Sequence, residues 1–435
     1  MENQIKNAIS NLKITSLNDM QLASLEANKS TEDCVILSPT GSGKTLAFLL
    51  PLLYHLKPNQ GFVQSIIITP TRELTIQIEE VFKSLKTDYK INAAYGGHSI
   101  RVEENNFSEV PDLIVGTPGR LCDHINRGNL DVSQVKVLIL DEFDKSLEMG
   151  FQEEMGYIVG ELNSLQKRML ISATKMDEIP DFTGVLNPVS LNFLKGKADG
   201  LTQKMVVSDD KDKLQTLFDL LCHNKDEPTI IFCNHRDTVE RISEFLTDMG
   251  IVSAFFHGGL EQRDREKTMI KFRNGSSNYL VTTDLAARGL DIPEIKYIIH
   301  YHMPPKEDGF IHRNGRTARM SSTGTSYILM SRGEDLPDYI TSNPEEEILA
   351  DITLPKNPQW ETLYFSGGKK DKINKIDIVG FLSKKGNLER SDLGLIIVQD
   401  FSTYAAVNRD KVEGLLAIIR NEKVKGKKLK IEVAQ

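Results

Sequence analysis

At 435 residues the chain is too long for one ordinary hydrophobic core, and 40% hydrophobic with 26% charged residues describes a soluble globular protein of two or three domains. No apolar run approaches the ~20 residues that span a bilayer, Met1-Glu2-Asn3-Gln4-Ile5-Lys6 does not open a signal peptide, and Cys34, Cys122, Cys222 and Cys233 lack metal-ligand spacing. A membrane partner and a zinc or disulfide framework are thereby excluded, and a cytoplasmic protein with reduced thiols is expected. The net charge of −8 hides an asymmetry: residues 369–435 carry 15 Lys+Arg against 9 Asp+Glu, the remainder 38 against 52, so a basic tail on an acidic body is set to grip an anionic polymer.

Residues 1–33 are helical in pattern and include Gln21, whose amide can read the donor and acceptor edge of an adenine. The apolar run 34–37 then leads through Ser38-Pro39-Thr40-Gly41-Ser42-Gly43-Lys44-Thr45 into Leu46-Ala47-Phe48-Leu49-Leu50, a strand, a glycine loop and a helix. Such a loop aims successive backbone N–H groups and a helix N-terminus at one point, which makes a phosphate cradle. Lys44 is placed to reach the β- and γ-phosphates and Thr45 to hold Mg²⁺. Pro51 should kink or shorten the helix that follows.

Next come strand 65–69 with Pro70-Thr71-Arg72-Glu73-Leu74, and strand 112–116 with Thr117-Pro118-Gly119-Arg120. Two strand ends that each present threonine, proline and arginine read as stations along a phosphate backbone, or as ordinary capped turns. The run 135–140 ends in Asp141-Glu142-Phe143-Asp144, carboxylates at the C-terminal end of a doubly buried parallel strand, beside the crevice where ligands bind. Asp141 is the candidate Mg²⁺ partner and Glu142 the group that orients or deprotonates an attacking water. Nucleoside triphosphate hydrolysis is the reaction these two motifs imply. Alternation along 142–144 puts Glu142 and Asp144 on one face and Phe143 on the other, away from the nucleotide.

A strand at 168–171 ends in Ser172-Ala173-Thr174, and the Asn-, Lys- and Gly-rich stretch from about 190 to 204 reads as a linker. A second alternation follows, with strands at 229–233, 253–256, 279–282 and 297–300 and no phosphate loop. It carries Arg288, Asp291 and His312-Arg313-Asn314-Gly315-Arg316-Thr317-Ala318-Arg319, whose repeated arginines read as a pair of fingers for a γ-phosphate. Residues 336–368 read as an irregular connector. Within 369–435, strands at 375–379, 395–398, 404–407 and 429–433, with a helix at about 410–421, resemble an RNA-recognition-motif sheet, with Phe381 and Tyr404 as stacking or core aromatics.

These motifs together resemble the DEAD-box ATP-dependent RNA helicases of superfamily 2, from about residue 12 to residue 331: SPTGSGKT, PTREL, Gly96-Gly97, TPGR, DEFD, SAT, IIFCN (230–234), HGGLEQRDR (257–265), TTDLAARGLD (282–291) and HRNGRTAR (312–319). The resemblance implies two tandem RecA-like α/β domains, 1–195 and 204–335, followed by the connector 336–368 and a small RRM-like α+β domain, 369–435, similar to the RNA-binding domain of DbpA-type helicases. It implies ATP and Mg²⁺ held by Gln21, Thr40, Gly41, Ser42, Gly43, Lys44, Thr45, Asp141 and Asp291, with Glu142, Arg316 and Arg319 in catalysis. Asp144, Ser172, Thr174 and His312 would couple hydrolysis to strand separation, while Arg72, Gly97, Thr117, Arg120, Arg265 and Thr283 would hold RNA. Lys423, Lys425, Lys427 and Lys428 would add a contact to 23S ribosomal RNA in pre-50S particles, and a monomer is expected. The alternatives are an RNA clamp whose ATPase times release and a general helicase of mRNA turnover or cold adaptation. Phe143 replaces the family's alanine, Ser38 its alanine or glycine, and Leu17 and Asn18 its proline and threonine.

Overall fold

The computed structural model describes residues 2–434 apart from 98, 176–177, 195–199, 285–294 and 319–322. The chain divides near residue 200 into two compact units. In the first, β1 (Cys34–Leu37), β2 (Ser65–Ile68), β3 (Ile91–Ala94), β4 (Leu113–Gly116), β5 (Val137–Leu140), β6 (Lys167–Ser172) and β7 (Val189–Asn192) form one sheet in the order β3-β4-β2-β5-β6-β1-β7. Every pairing in it is parallel. The strands read as unbroken apolar runs because both faces are covered. Ile36, Ile67, Val115, Ile139 and Ile171 enter one core, and Val35, Leu37, Ile66, Ile68, Leu138 and Leu170 the other. The helix Lys44–Leu52 carries Pro51 in its last turn, where the absent N–H leaves the Ala47 carbonyl to accept the Ser24 hydroxyl.

In the second unit, β8 (Leu201–Ser208), β9 (Thr229–Cys233), β10 (Ser253–Phe256), β11 (Tyr279–Thr283), β12 (Tyr297–His300), β13 (Gly324–Ser331) and β14 (Glu345–Glu346) form a second parallel sheet, ordered β10-β11-β9-β12-β13-β8-β14. The stretch read as a linker is therefore strand at both ends. β7 is an edge strand whose side chains are half-exposed or exposed, and it tolerates the polar composition that suggested a loop. Part of the connector also packs: Leu336, Tyr339 and Ile340 lie on Phe310, Ile328 and Met330, and β14 pairs with β8.

The small sheet is antiparallel, β16 (Leu393–Val398), β17 (Thr403–Asn408), β15 (Trp360–Phe365) and β18 (Ile431–Val433) in the order β16-β17-β15-β18. Its first strand lies in the stretch read as connector, and 375–379, read as a strand, opens the helix Lys375–Lys384. The alternation Lys-Ile-Asp-Ile misleads over so short a span. Asn374 and Asp377 form a reciprocal capping box, and Ile378, Phe381 and Leu382 are the buried face at helical spacing.

One face of this sheet leans on the helix Gln262–Arg273 of the second parallel domain. Ile270 packs with Tyr404 and Ala434, and Tyr364 and Ile397 flank them. Ser276 and Thr362 share a 2.6 Å hydroxyl bond, and Arg409 donates to the carbonyls of Ser276, Pro358 and Trp360 while pairing with Glu361. Tyr404 is thus buried here and Phe381 in the core beneath, so neither is a stacking platform. The four thiols are free, three of them buried. Among the described residues no helix is long and apolar enough to cross a membrane.

Candidate nucleotide and nucleic-acid sites

In the order β5-β6-β1, three neighbouring strand ends bring together the groups read as a nucleotide site. After β1, Gly41 and Gly43 take φ of 81° and 86°, and Gly43 is the left-handed residue before the helix Lys44–Leu52. A Cβ at Gly43 would stand 2.6 Å from Gln21 Nε2, so backbone conformation and space both require glycine. Gln21 Nε2 donates to the Gly43 carbonyl and its Oε1 accepts the Asn18 N–H, while Asn18 Nδ2 donates to the Ser42 carbonyl. The capping box at Asn18 and Gln21 therefore braces the phosphate loop, and the N-x-x-Q spacing was its visible sign. Lys44 Nζ donates to the Ser38 carbonyl at 2.9 Å.

After β5 the chain turns sharply: Glu142 is left-handed (φ 46°, ψ 48°) and Phe143 opens the helix Phe143–Glu148. Phe143 is fully buried in the core with Phe182 at 6.3 Å. A turn and a helix, not a continuing strand, carry the ring into that core. Asp141 and Glu142 are buried, and Glu142 Oε2 has no hydrogen-bond partner among the described residues. Burial first, then the charge of Glu142, pushes Asp141 up to about 7, with Lys44 pulling the other way. A pair of carboxylates short of positive charge fits a divalent cation brought in with phosphates, since Mg²⁺ ordinarily takes one or two carboxylates and completes its shell with phosphate and water. Thr45 stands at the first turn of the adjoining helix and Thr40 in the loop before it. After β6, Thr174 Oγ1 donates to Asp144 at 2.7 Å and Ser172 Oγ to the Thr174 carbonyl at 2.7 Å. Ser172, Thr174 and Asp144 are thus joined in one buried hydrogen-bonded group.

The neighbouring ends, β3-β4-β2, carry the candidate RNA contacts of this unit. Arg72 opens the helix Arg72–Ser84 after β2, capped by Thr71, and a Cβ on Gly96 would meet its guanidinium at 3.2 Å. Gly97 has φ of 100°. Thr117 precedes the helix Pro118–Asn126 and spends no side-chain bond on capping it. Sequence reasoning missed what joins them. Glu103, buried, accepts the Tyr95 N–H, bonds His124 Nε2 at 2.5 Å and lies 3.4 Å from Arg120. No local pattern links these residues; only the fold does.

In the second unit, Thr283 ends β11 and Arg265, on the helix after β10, lies 5.2 Å over the Phe256 ring. His312 closes the helix Glu307–Asn314, and Arg316 follows it. Between them Arg313 is a hub, bound to both oxygens of Asp284, to Asn234 and to the His302 carbonyl, and stacked on Phe232. Asp291 and Arg319 lie outside the described residues. In the tail, Lys425 donates to the Lys372 carbonyl and Asp377, and Lys427 to Asp371. Lys423, Lys425, Lys427 and Lys428 are exposed. The lysine runs around residues 370 and 425 are thus one surface.

Three family models match the chain: DEAD/DEAH box helicase over residues 18–182, helicase conserved C-terminal domain over 212–321, and DbpA RNA binding domain over 362–433. The chain is 31% identical to the ATP-dependent RNA helicase DbpA of Bacillus subtilis (strain 168), over 100% of this chain and 98% of that one. It is 30% identical to the protein of the same name from Escherichia coli (strain K12), over 98% of both. Among solved structures it is similar to S. cerevisiae Dbp5 bound to RNA and ADP BeF3, with TM-score 0.69 and 26% identity over 75% of this chain and 86% of that one. Mss116p bound to ssRNA and AMP-PNP gives TM-score 0.70 and 25% identity over 81% and 78%.

Proposed function

We propose that this chain, which belongs to the DEAD-box ATP-dependent RNA helicases, spends ATP to open short paired segments of structured RNA, and that its target is 23S ribosomal RNA in pre-50S particles. The observation that carries this reading is the pairing of two things in one polypeptide: three adjacent strand ends that gather Lys44, Asp141, Glu142 and Thr174, and a lysine-rich tail. Gln21 reads adenine, the N–H groups of residues 40–45 cradle phosphate, and Lys44 neutralises the β- and γ-oxygens. Thr45 and Asp141 would hold Mg²⁺, which would neutralise charge on the phosphates. Glu142 orients the attacking water and takes its proton, while Arg316 and Arg319 stabilise charge on the transferred phosphoryl group. The Thr174–Asp144 bond passes loss of the γ-phosphate on to the RNA-facing elements, with His312 acting from the second unit; Asp291 meets the ribose. Arg72, Gly97, Thr117, Arg120, Arg265 and Thr283 hold the RNA backbone. The protein works as a cytoplasmic monomer.

The likeness to two proteins called DbpA, along the whole chain and including the tail, supports a helicase with its own RNA-binding tail, and the ribosomal target follows from the resemblance of that tail to the DbpA-type helicases. The experiment is ATPase stimulation and binding with a 23S fragment and an unrelated hairpin of equal length, for the native chain and a variant with Lys423, Lys425, Lys427 and Lys428 changed to alanine. A preference for the fragment that the variant loses, with a log-log salt slope flatter by about 0.7 per lost single-strand phosphate contact, is expected. Equal stimulation by both RNAs would remove the ribosomal target.

A further inference from the structure

The RNA-recognition fold ordinarily stacks bases on its sheet, but here Tyr364 and Tyr404 face Ile270 of the neighbouring helix. An aromatic ring that remains free lies elsewhere. Phe401 is 70% exposed and lies neither in the tail's core nor among the residues packed on the neighbouring helix. It sits at the tip of the β16–β17 hairpin, closed by the Gln399 N–H donating to the Ser402 carbonyl at 2.8 Å and the Ser402 hydroxyl to Gln399 Oε1 at 2.8 Å. Hairpin tips favour glycine, asparagine and aspartate, and a phenylalanine with its ring in water gains nothing from folding there. An apolar ring exposed at a tight turn beside a lysine-rich surface is therefore a candidate contact.

The tip is fixed against the basic surface. Lys369 and Lys370 donate their backbone N–H groups to the carbonyls of Gln399 and Asp400, both at 2.9 Å. A Cβ on Gly368 would stand 2.2 Å from the Gln399 oxygen and one on Gly367 2.8 Å from Ile373, so the Gly367-Gly368 pair lets three segments close together. Segments 369–377, 399–402 and 423–430 then hold nine lysines against three aspartates around one exposed ring.

We infer that Phe401 is a stacking platform for an unpaired base of an RNA loop, whose flanking phosphates lie on the lysines. This rests on the reading of the tail as an RNA-binding module. A duplex offers no free base face, whereas a loop does, so the site selects loops over stems.

The test uses the full chain and two RNAs, a hairpin with an unpaired loop and the same stem as a blunt duplex. Phe401→Ala weakens loop binding about ten-fold, within the range for one stacked base, and leaves duplex binding and RNA-free ATPase unchanged. The salt slope stays native because no charge is lost, in contrast to the four-lysine variant. Phe401→Trp restores affinity, and Phe401→Leu, apolar but without a π face, does not. A 2-aminopurine in the loop is quenched by the native chain and by Phe401→Trp only. Native loop affinity in Phe401→Ala, equal loss on both RNAs, or full rescue by leucine overturns the inference and turns the ring into a protein-docking or packing group. If the four-lysine variant keeps native affinity and slope, the RNA-binding reading of the tail fails and this inference with it.

Discussion

Replacing Phe143 with alanine tests whether the ring between the site carboxylates serves the core or the nucleotide. The side chain is fully buried among the residues of one sheet face, 6.3 Å from Phe182. A buried phenylalanine removes about 150–250 Å² from water, worth ~4–6 kcal/mol at ~25 cal/mol per Å² as an upper bound. Alanine gains only a few tenths of a kcal/mol in helix propensity at the head of the helix Phe143–Glu148, so a loss of about 3–5 kcal/mol is expected. At roughly 2–4 °C per kcal/mol for a unit of this size, the melting temperature falls by about 10 °C. Calorimetry of the full chain should show the first unit's transition moving and the second's staying. ATPase kcat and KM below the melting range should remain native, since the ring is wholly enclosed in the core. An unmoved transition with altered ATPase would refute the placement. A small shift with native ATPase would mean that Phe182 and its neighbours collapse into the space.

Lys44→Ala should abolish nucleotide binding and hydrolysis together, whereas Glu142→Gln should bind nucleotide normally and release no phosphate; a native rate in Glu142→Gln would end its assignment. Arg316→Ala should slow turnover by about 10³-fold or more with little change in ATP affinity, read from single-turnover rates beside equilibrium binding, and an equal loss in both would argue against a finger. His300 is buried against Asn314 and Ser326, and burial followed by the Arg313 charge pulls it down to about 3. The unfolded chain takes up this proton first, so the stability it confers is full above about 6.5 and declines as pH falls toward 3, by ~1.4 kcal/mol per pH unit. His300→Asn should flatten the acid limb of a Tm–pH profile, and an unchanged limb would assign acid lability to other groups.

The phosphate loop was legible because its chemistry is contiguous: a strand, two glycines and Lys44 in one octapeptide. The buried parallel strands were legible for a related reason, since runs such as Val137–Leu140 have no polar face to confuse. What failed depended on partners distant in sequence. Trp360–Phe365 becomes a strand through pairing with β17 and β18, some forty and seventy residues onward. Asp377 reads as an alternation residue until Asn374 is seen to cap the helix. Glu103 shows no motif at all, yet through Tyr95, His124 and Arg120 it ties together two of the candidate RNA segments. Phe143 illustrates a right outcome from a wrong cause: the left-handed Glu142, not strand alternation, sets its direction.

The docking of the small sheet on the helix Gln262–Arg273 changes how RNA capture is shared between the parts of this unit. A module on a slack arm raises the local concentration of its cargo only to the level that arm length permits, and ordering the arm costs entropy at every capture. Here Ser276, Thr362 and Arg409 leave no arm between the tail and the helix that bears Arg265. Under the proposed RNA-binding reading, an RNA held on the tail therefore meets the helix that bears Arg265 from one fixed direction.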